Sequence, residues 1–459
     1  MLLTCVRKEI LSYVLSLRYG LVFCLLVGLT LAATAVRTSI YRKQKAAYAE
    51  SIGERQRTLE MLWDTFQFAS RGIVIETPPN PLAIFAGGLE NEITRSHNFA
   101  GQKTPRTGLR KLNNASFRYF LDIDLILVVN IVGSLLALML VFDGICGERE
   151  QGTLKVLLAG PIPRDTVILS KIIAGLLILA LPLLLAWGFS LAYVVGVGGV
   201  VLDAELTVRV MWLIALSLVY VSFFFALGIA LSSWVRDSAS AMAGGVFAWA
   251  ILVLVVPNLV PLALKRLAPV PPESKLLMER DAIRETIEKE DMPKWREEMT
   301  AAKEYDDQQQ LWRMLVHMVD EECDRRFEPL ERYAVARVVR RLRLNQRIAR
   351  ISPSASFVFA ATHCAGTGAE DFLHALSEVE AYGRRFREVF HEKQTEHLKR
   401  PRETRHAPYA TDAWPPFEPS RLSIAQAVNA CWLDVVWLAG SMVVLFLGAV
   451  VGFMRYDAR

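Results

Sequence analysis

Six apolar runs constrain this 459-residue chain more than any other feature, because each is long enough to cross the roughly 30 Å hydrocarbon core of a bilayer as a helix of about 20 residues. They occupy residues 19–36, 125–142, 167–200, 208–235, 238–264 and 433–454. A chain in lipid must satisfy its own backbone N–H and C=O groups, and uninterrupted runs of this length do so as helices. Two hydrophilic stretches separate the runs and make the composition intermediate, with 53% hydrophobic and 22% charged residues. The predicted fold is an all-α membrane protein of six transmembrane helices with two mainly helical extracytoplasmic insertions.

The plan along the chain follows. Residues 1–18 read as an interfacial helix, since Leu3, Val6, Ile10, Val14 and Leu17 recur at helical spacing. Arg7, Lys8, Glu9 and Arg18 precede the first apolar core and no small-residue cleavage site follows it, so this segment is expected to be retained. The first span is 19–36 and the first insertion 37–124. Spans two to five fill 125–264, with a connecting loop at 143–166. The second insertion is 265–432, and 433–459 holds the last span and a tail. Arg149, Lys155 and Arg164 in the short loop and Lys171 just beyond it, with Arg455 and Arg459 after the last span, place these segments in the cytoplasm by the positive-inside rule. Both insertions then face outward, at the cell (inner) membrane.

Finer expectations concern the interruptions. Pro182, Gly188, Gly196, Gly198 and Gly199 predict a kink or break in the long third run. The first insertion opens on a helix over 38–70 and turns at Thr77-Pro78-Pro79-Asn80-Pro81. The second contains helical segments over 273–350 and 370–400, and 401–419 reads as loop. Alternating apolar patterns are too sparse to predict a sheet.

Several classes of function are excluded by what the sequence lacks. The spans carry no Asp, Glu, Lys, Arg or His in their central portions, which argues against an ion-coupled carrier or proton pump. No phosphate-loop motif, metalloprotease motif or nucleophile elbow occurs, so energy for any movement must come from a partner. His363, His391, His397 and His406 have no ligand spacing, and no metal site is expected. The net charge of +5 is small for this length and gives no footprint for nucleic acid. Apart from Cys431, which lies beside the last span, Cys323 and Cys364 are the only cysteines in the two insertions. They are the candidates for a disulfide if that compartment is oxidising. Arg337, Arg340, Arg343, Arg347 and Arg350 recur every three or four residues along one helical face. Such a stripe is either a solvated face paired with nearby acids or a contact for anionic headgroups or an acidic substrate.

The most specific stretch is the loop after the second span, Glu148-Arg149-Glu150-Gln151-Gly152-Thr153-Leu154, followed by Pro161, Pro163 and Arg164 before the third. With Lys8-Glu9 near the start and Arg236-Asp237-Ser238 between spans four and five, it resembles the permeases of ABC-2 type ABC transporters. Within that superfamily it is most similar to the branch grouped with the permease for nitrous-oxide reductase (multicopper enzyme) maturation. Pro79–Phe85 and Ile351–Phe357 resemble segments of long-loop relatives. The insertions are much larger than in the shortest members, so the substrate does not carry over.

The resemblance implies a permease subunit that is not itself an enzyme and contains no cofactor. A separate ABC ATPase subunit would bind ATP and Mg and dock on a coupling helix that includes Glu148, Arg149, Glu150, Gly152, Thr153 and Leu154. A homodimer or pairing with a related permease, contact with membrane lipids and an extracytoplasmic protein partner belong to the same expectation. The rival is a non-transporting membrane scaffold whose outer helices bind a partner protein or envelope component. A scaffold has no need of the coupling loop.

Overall fold

The computed structural model describes residues 2–61, 73–90, 96–99, 123–159, 163–301, 308–399 and 414–455. Six helices among them are long and apolar enough to cross a membrane, and the chain is a multi-pass, all-α membrane protein. A short helix α1 (Leu2–Val14) leads through a break at Leu15-Ser16 into α2 (Leu17–Met61). Helix α1 leaves Leu3 and Leu11 exposed while burying Val6. The first span and the expected outer helix are therefore one continuous rod, because nothing between Val36 and Ser51 breaks a helix and Gly53 alone does not stop it.

Span two is α3 (residues 125–141), which loosens into a π-turn at Val129–Gly133. Two short connector helices follow, α4 (Cys146–Glu150) and α5 (Thr153–Ala159). Spans three and four are α6 (Arg164–Gly196) and α7 (Ala204–Trp234). Pro182 lies inside α6 without ending it, so the expected break is not made. Neighbouring helices in a bundle tolerate an interior proline. Span five is α8 (Ser238–Leu267), with a second π-turn at Ala250–Val255. Asp124, Asp203 and Asp237 cap the N-termini of α3, α7 and α8 through their side chains, satisfying amides that the helices leave free.

The second insertion contains α9 (residues 273–301), α10 (Gln308–Ala349), α11 (Pro353–Ala365) and α12 (Ala369–Lys399). The last span, α13 (Ile424–Met454), starts nine residues before the expected Leu433 and opens on a capping box of Ser423 and Gln426. A small antiparallel ribbon was not expected from the sequence: β1 (Ile73–Glu76) pairs with β2 (Ser96–Phe99). Its inward residues Ile73, Ile75 and Phe99 share an aromatic core with Tyr382, Phe386, Phe390 and Trp414. Four residues per strand are too few for a periodic signal, and packing on α12 supplies the stability that the ribbon lacks alone.

Helix α7 is the axis of the main core. It buries Leu213, Tyr220, Phe224 and Phe225 against its neighbours. Gly175 of α6 lets the helices approach closely, since a Cβ there would come within 2.2 Å of the Phe225 ring.

Candidate functional site

At one end of the bundle, the connector end, the short loop expected to couple is wired into four helices. Lys171 of α6 donates to Glu148 Oε1 at 2.7 Å and to Glu9 Oε1 of α1 at 3.3 Å. Its side chain is only 4% exposed, so the two carboxylates are what make a buried ammonium tolerable. Tyr13 packs beside this cluster; burial first, and then Glu9, Asp143 and Glu148, hold its phenol above the ordinary range. Arg149 donates to the carbonyls of Val235 at 3.1 Å and Ser233 at 3.3 Å. It thereby caps the C-terminus of α7, where carbonyls lack intrahelical partners and a cation is favoured. Glu150 does the complementary thing at the start of α8, accepting from Ser238 N at 2.9 Å and Ser238 Oγ at 2.7 Å. The Ser232 hydroxyl accepts from the amides of Ile145 at 3.0 Å and Cys146 at 3.1 Å.

The acid-base-acid triplet is thus an intramolecular clamp. Glu148 holds α6 through Lys171, which also binds Glu9 of α1, Arg149 holds α7, and Glu150 holds α8. Gly152 at φ +72° then turns the chain from α4 into α5, a conformation that costs an L-residue energy. Leu154 anchors α5 in the core with no exposed surface. Thr153, Lys155 and Val156 remain outside, Val156 at 77% exposure. Of the six residues expected at a docking face, Thr153 is on the open surface together with the exposed Glu150 edge. Pro161 and the Leu158 side chain lie outside the described residues, and Pro163 precedes the first turn of α6.

Sequence reasoning missed Lys171 as the centre of this site, along with Glu9, Ser232 and Ser238. The available signal was a lysine near the start of an apolar helix, which requires a counter-charge wherever it is buried.

At the other end, the insertion end, α11 has all thirteen residues buried. It descends between the spans instead of staying with the polar insertion. Phe357 stacks on Tyr220 of α7 at 4.2 Å. Ser354 Oγ donates to Asn130 Oδ1 at 2.8 Å, which also accepts from Tyr220 OH at 2.6 Å. Ser352 donates to the Leu252 carbonyl. Asn130 and Leu252 sit in the two π-turns, so α11 supplies partners where the regular helical pattern is interrupted. The upper end is fixed by Asn80, whose amide donates to the carbonyls of Ala365 at 2.8 Å and Gly366 at 3.1 Å. Arg209 of α7 donates to the Cys364 carbonyl at 3.1 Å and to the Leu422 carbonyl. The two segments singled out around Pro79 and Ile351 therefore meet at opposite ends of one buried helix.

Two expectations are corrected here. The spans are not free of ionisable groups away from their ends, because the early start of α13 brings Asp434 into the helix. It is 2% exposed and takes a two-pronged pair from Arg350, Nε to Oδ1 at 2.5 Å and Nη2 to Oδ2 at 3.0 Å. The disulfide is not made either: Cys323 and Cys364 are free thiols. Cys323 packs with Ile287 and Val319 in the outer helices, whereas Cys364 belongs to the main core beside Cys431. Burial of Pro353–Ala365 among the spans separates the two. His363 is buried in α11, His374 bonds with Ser420, and the side chains of His391 and His397 and all of His406 lie outside the described residues.

A bundle of six spans with a clamped connector and long polar insertions is the architecture of a multi-pass membrane protein. The sequence model of the ABC-2 family transporter protein matches residues 3–458, and the chain belongs to that family as the membrane subunit of an ABC transporter. It is similar to the probable ABC transporter permease protein NosY of Stutzerimonas stutzeri, 38% identical over 132 residues, 28% of this chain and 47% of that one. The protein of the same name from Pseudomonas aeruginosa is 35% identical over 120 residues, 26% of this chain and 44% of that one. The chain spans about half the length of the curated relatives it matches.

Proposed function

We propose that this permease couples ATP hydrolysis by a separate ATPase subunit, which binds ATP and Mg, to work on an extracytoplasmic substrate. The connector end faces the cytoplasm of a cell (inner) membrane and both insertions face outward. The ATPase docks on the exposed face of α5, on Thr153, Lys155 and Val156, while Glu148, Arg149 and Glu150 pass its motion to the spans. The working unit is a homodimer or a pair with a related permease, and the outer helices engage an extracytoplasmic protein or other envelope substrate.

The observation that carries this reading is the chain of interactions along α7. Its lower end is held by Arg149 through Val235 and Ser233, its middle stacks Tyr220 on Phe357, and its upper end reaches Cys364 through Arg209. A close-packed helix does not absorb displacement locally. A push on the connector is therefore delivered to α11 and, through it, to both insertions.

Reconstitution with the cognate ATPase tests this. The expected result is that Val156→Asp abolishes permease-dependent ATP turnover while the protein still inserts and unfolds at the wild-type temperature. Absence of any co-purifying ATPase would favour the scaffold instead.

A further inference from the structure

We propose that Arg340, Arg343 and Arg347, on the outward face of α10, form a binding site for the phosphate of an anionic membrane lipid. This proposal does not rest on the coupling reading.

The depth of the stripe is fixed by its lower end. Arg350 is bound to Asp434 of α13, and Ser352, two residues on, is bound to Leu252. Leu252 lies thirteen residues before Lys265, which with Arg266 forms the last basic turn of α8. At 1.5 Å per residue the α10–α11 junction is roughly 20 Å below that basic rim. Arg347 and Arg343 are three and seven residues before Arg350, so they rise at most about 5 and 10 Å above it, whatever the tilt of α10. Half a hydrocarbon core is about 15 Å. Both guanidinium groups start within the depth of the outer hydrocarbon layer, and Arg340 starts near its edge.

The stripe also faces away from the protein. Residues Val338, Arg341, Leu342, Asn345 and Ala349 turn into the fold, and Arg340, Arg343 and Arg347 point out of it. Arg343 keeps only a long 3.6 Å contact with Glu370 and is 57% exposed. No acid among the described residues pairs with Arg340 or Arg347. An arginine at this depth is costly unless it snorkels to an anion. The described residues supply too few, so the stripe is not a face neutralised by its neighbouring acids.

The surroundings select the source of the anion. Ile348 and Ile351 are exposed at 42% and 65% beside the arginines. On α8, which packs against α10, Leu259 and Leu262 are exposed at 54% and 52%. A row of guanidinium groups on one helical face, above exposed aliphatic side chains, matches a phosphate headgroup with its acyl chains below. A soluble phosphate has no use for the aliphatic part.

The test uses the full chain in nanodiscs of phosphatidylglycerol or of phosphatidylcholine, followed by native mass spectrometry of retained lipid. Wild type is expected to retain phosphatidylglycerol selectively. The variant Arg343→Gln/Arg347→Gln should lose that retention by roughly tenfold to thirtyfold, from about 1 kcal/mol for each charge near the surface. Arg343→Lys/Arg347→Lys should restore most of it, which separates charge from damage to the fold. Equal retention by wild type and the glutamine variant would overturn the site. Displacement of the lipid by excess inorganic phosphate would overturn the lipid as its source.

Discussion

The connector end of the bundle and the seat of α11 among the spans solve the same problem differently. At the connector end, charged side chains are satisfied by helix termini: Arg149 sits on the last carbonyls of α7 and Glu150 on the first amides of α8. Deeper in, α11 is held by one ion pair and by hydroxyl groups that bond at two π-turns. The first arrangement uses groups that every helix end offers, and its one buried ammonium, Lys171, is shared between two partly exposed carboxylates. The second places Asp434, 2% exposed, where no water replaces Arg350 if that partner is removed. One end is a pliable joint, and the middle is a fixed seat.

The strongest way to break this contrast is Arg350→Met, which leaves Asp434, 2% exposed, without its guanidinium partner. We expect a loss of about 3 to 5 kcal/mol, seen as a large drop in thermal unfolding temperature, with partial recovery in Asp434→Ala/Arg350→Met. Lys171→Met at the connector end also removes one partner of a buried pair. Because Glu148 is 25% exposed in its side chain and can reach water, its cost should be clearly smaller. If Lys171→Met destabilises more than Arg350→Met, the contrast between joint and seat is wrong.

Packing around α7 gives an intermediate effect. Gly175→Ala forces a methyl group against the Phe225 ring, and overpacking of this kind costs about 1 to 3 kcal/mol. Unfolding measurements should show this loss together with weakened coupling, since α7 must shift to make room. Wild-type stability would mean that the ring moves aside and that α7 is not tightly held.

Glu148→Ala with Glu150→Ala separates wiring from docking. The double variant should lower permease-dependent ATP turnover while membrane insertion and ATPase co-purification persist, because both carboxylates bond within the permease itself. Loss of co-purification would make these residues part of the docking face. The smallest expected perturbation is topological: Ser377→Cys, exposed on α12, should leave stability within about 0.5 kcal/mol of wild type and label from outside intact cells. Labelling only after permeabilisation would reverse the proposed orientation.

The sequence by itself determined the class of the protein, because hydrophobic length acts locally: six long apolar runs have no other stable state in lipid. The ordered loop from Glu148 to Leu154 also marked the connector, although it could not show that the charges turn inward. That outcome depends on Lys171, Val235 and Ser238, which are distant or unremarkable in the chain and become partners only when helix ends converge. Helix α11 was the least legible element. Pro353–Ala365 is apolar through Phe357, Val358 and Phe359 but only thirteen residues long and embedded in a polar insertion, so it falls short of the length that marks a span. Only the tertiary structure could place it among the spans, since small residues gain their stability from close approach to Tyr220, Asn130 and α13, not from their own apolar surface. The same cause moved Asp434 from a loop boundary to a buried partner of Arg350: a charge is admitted to lipid depth by the one side chain that meets it there, and that meeting is a property of the fold.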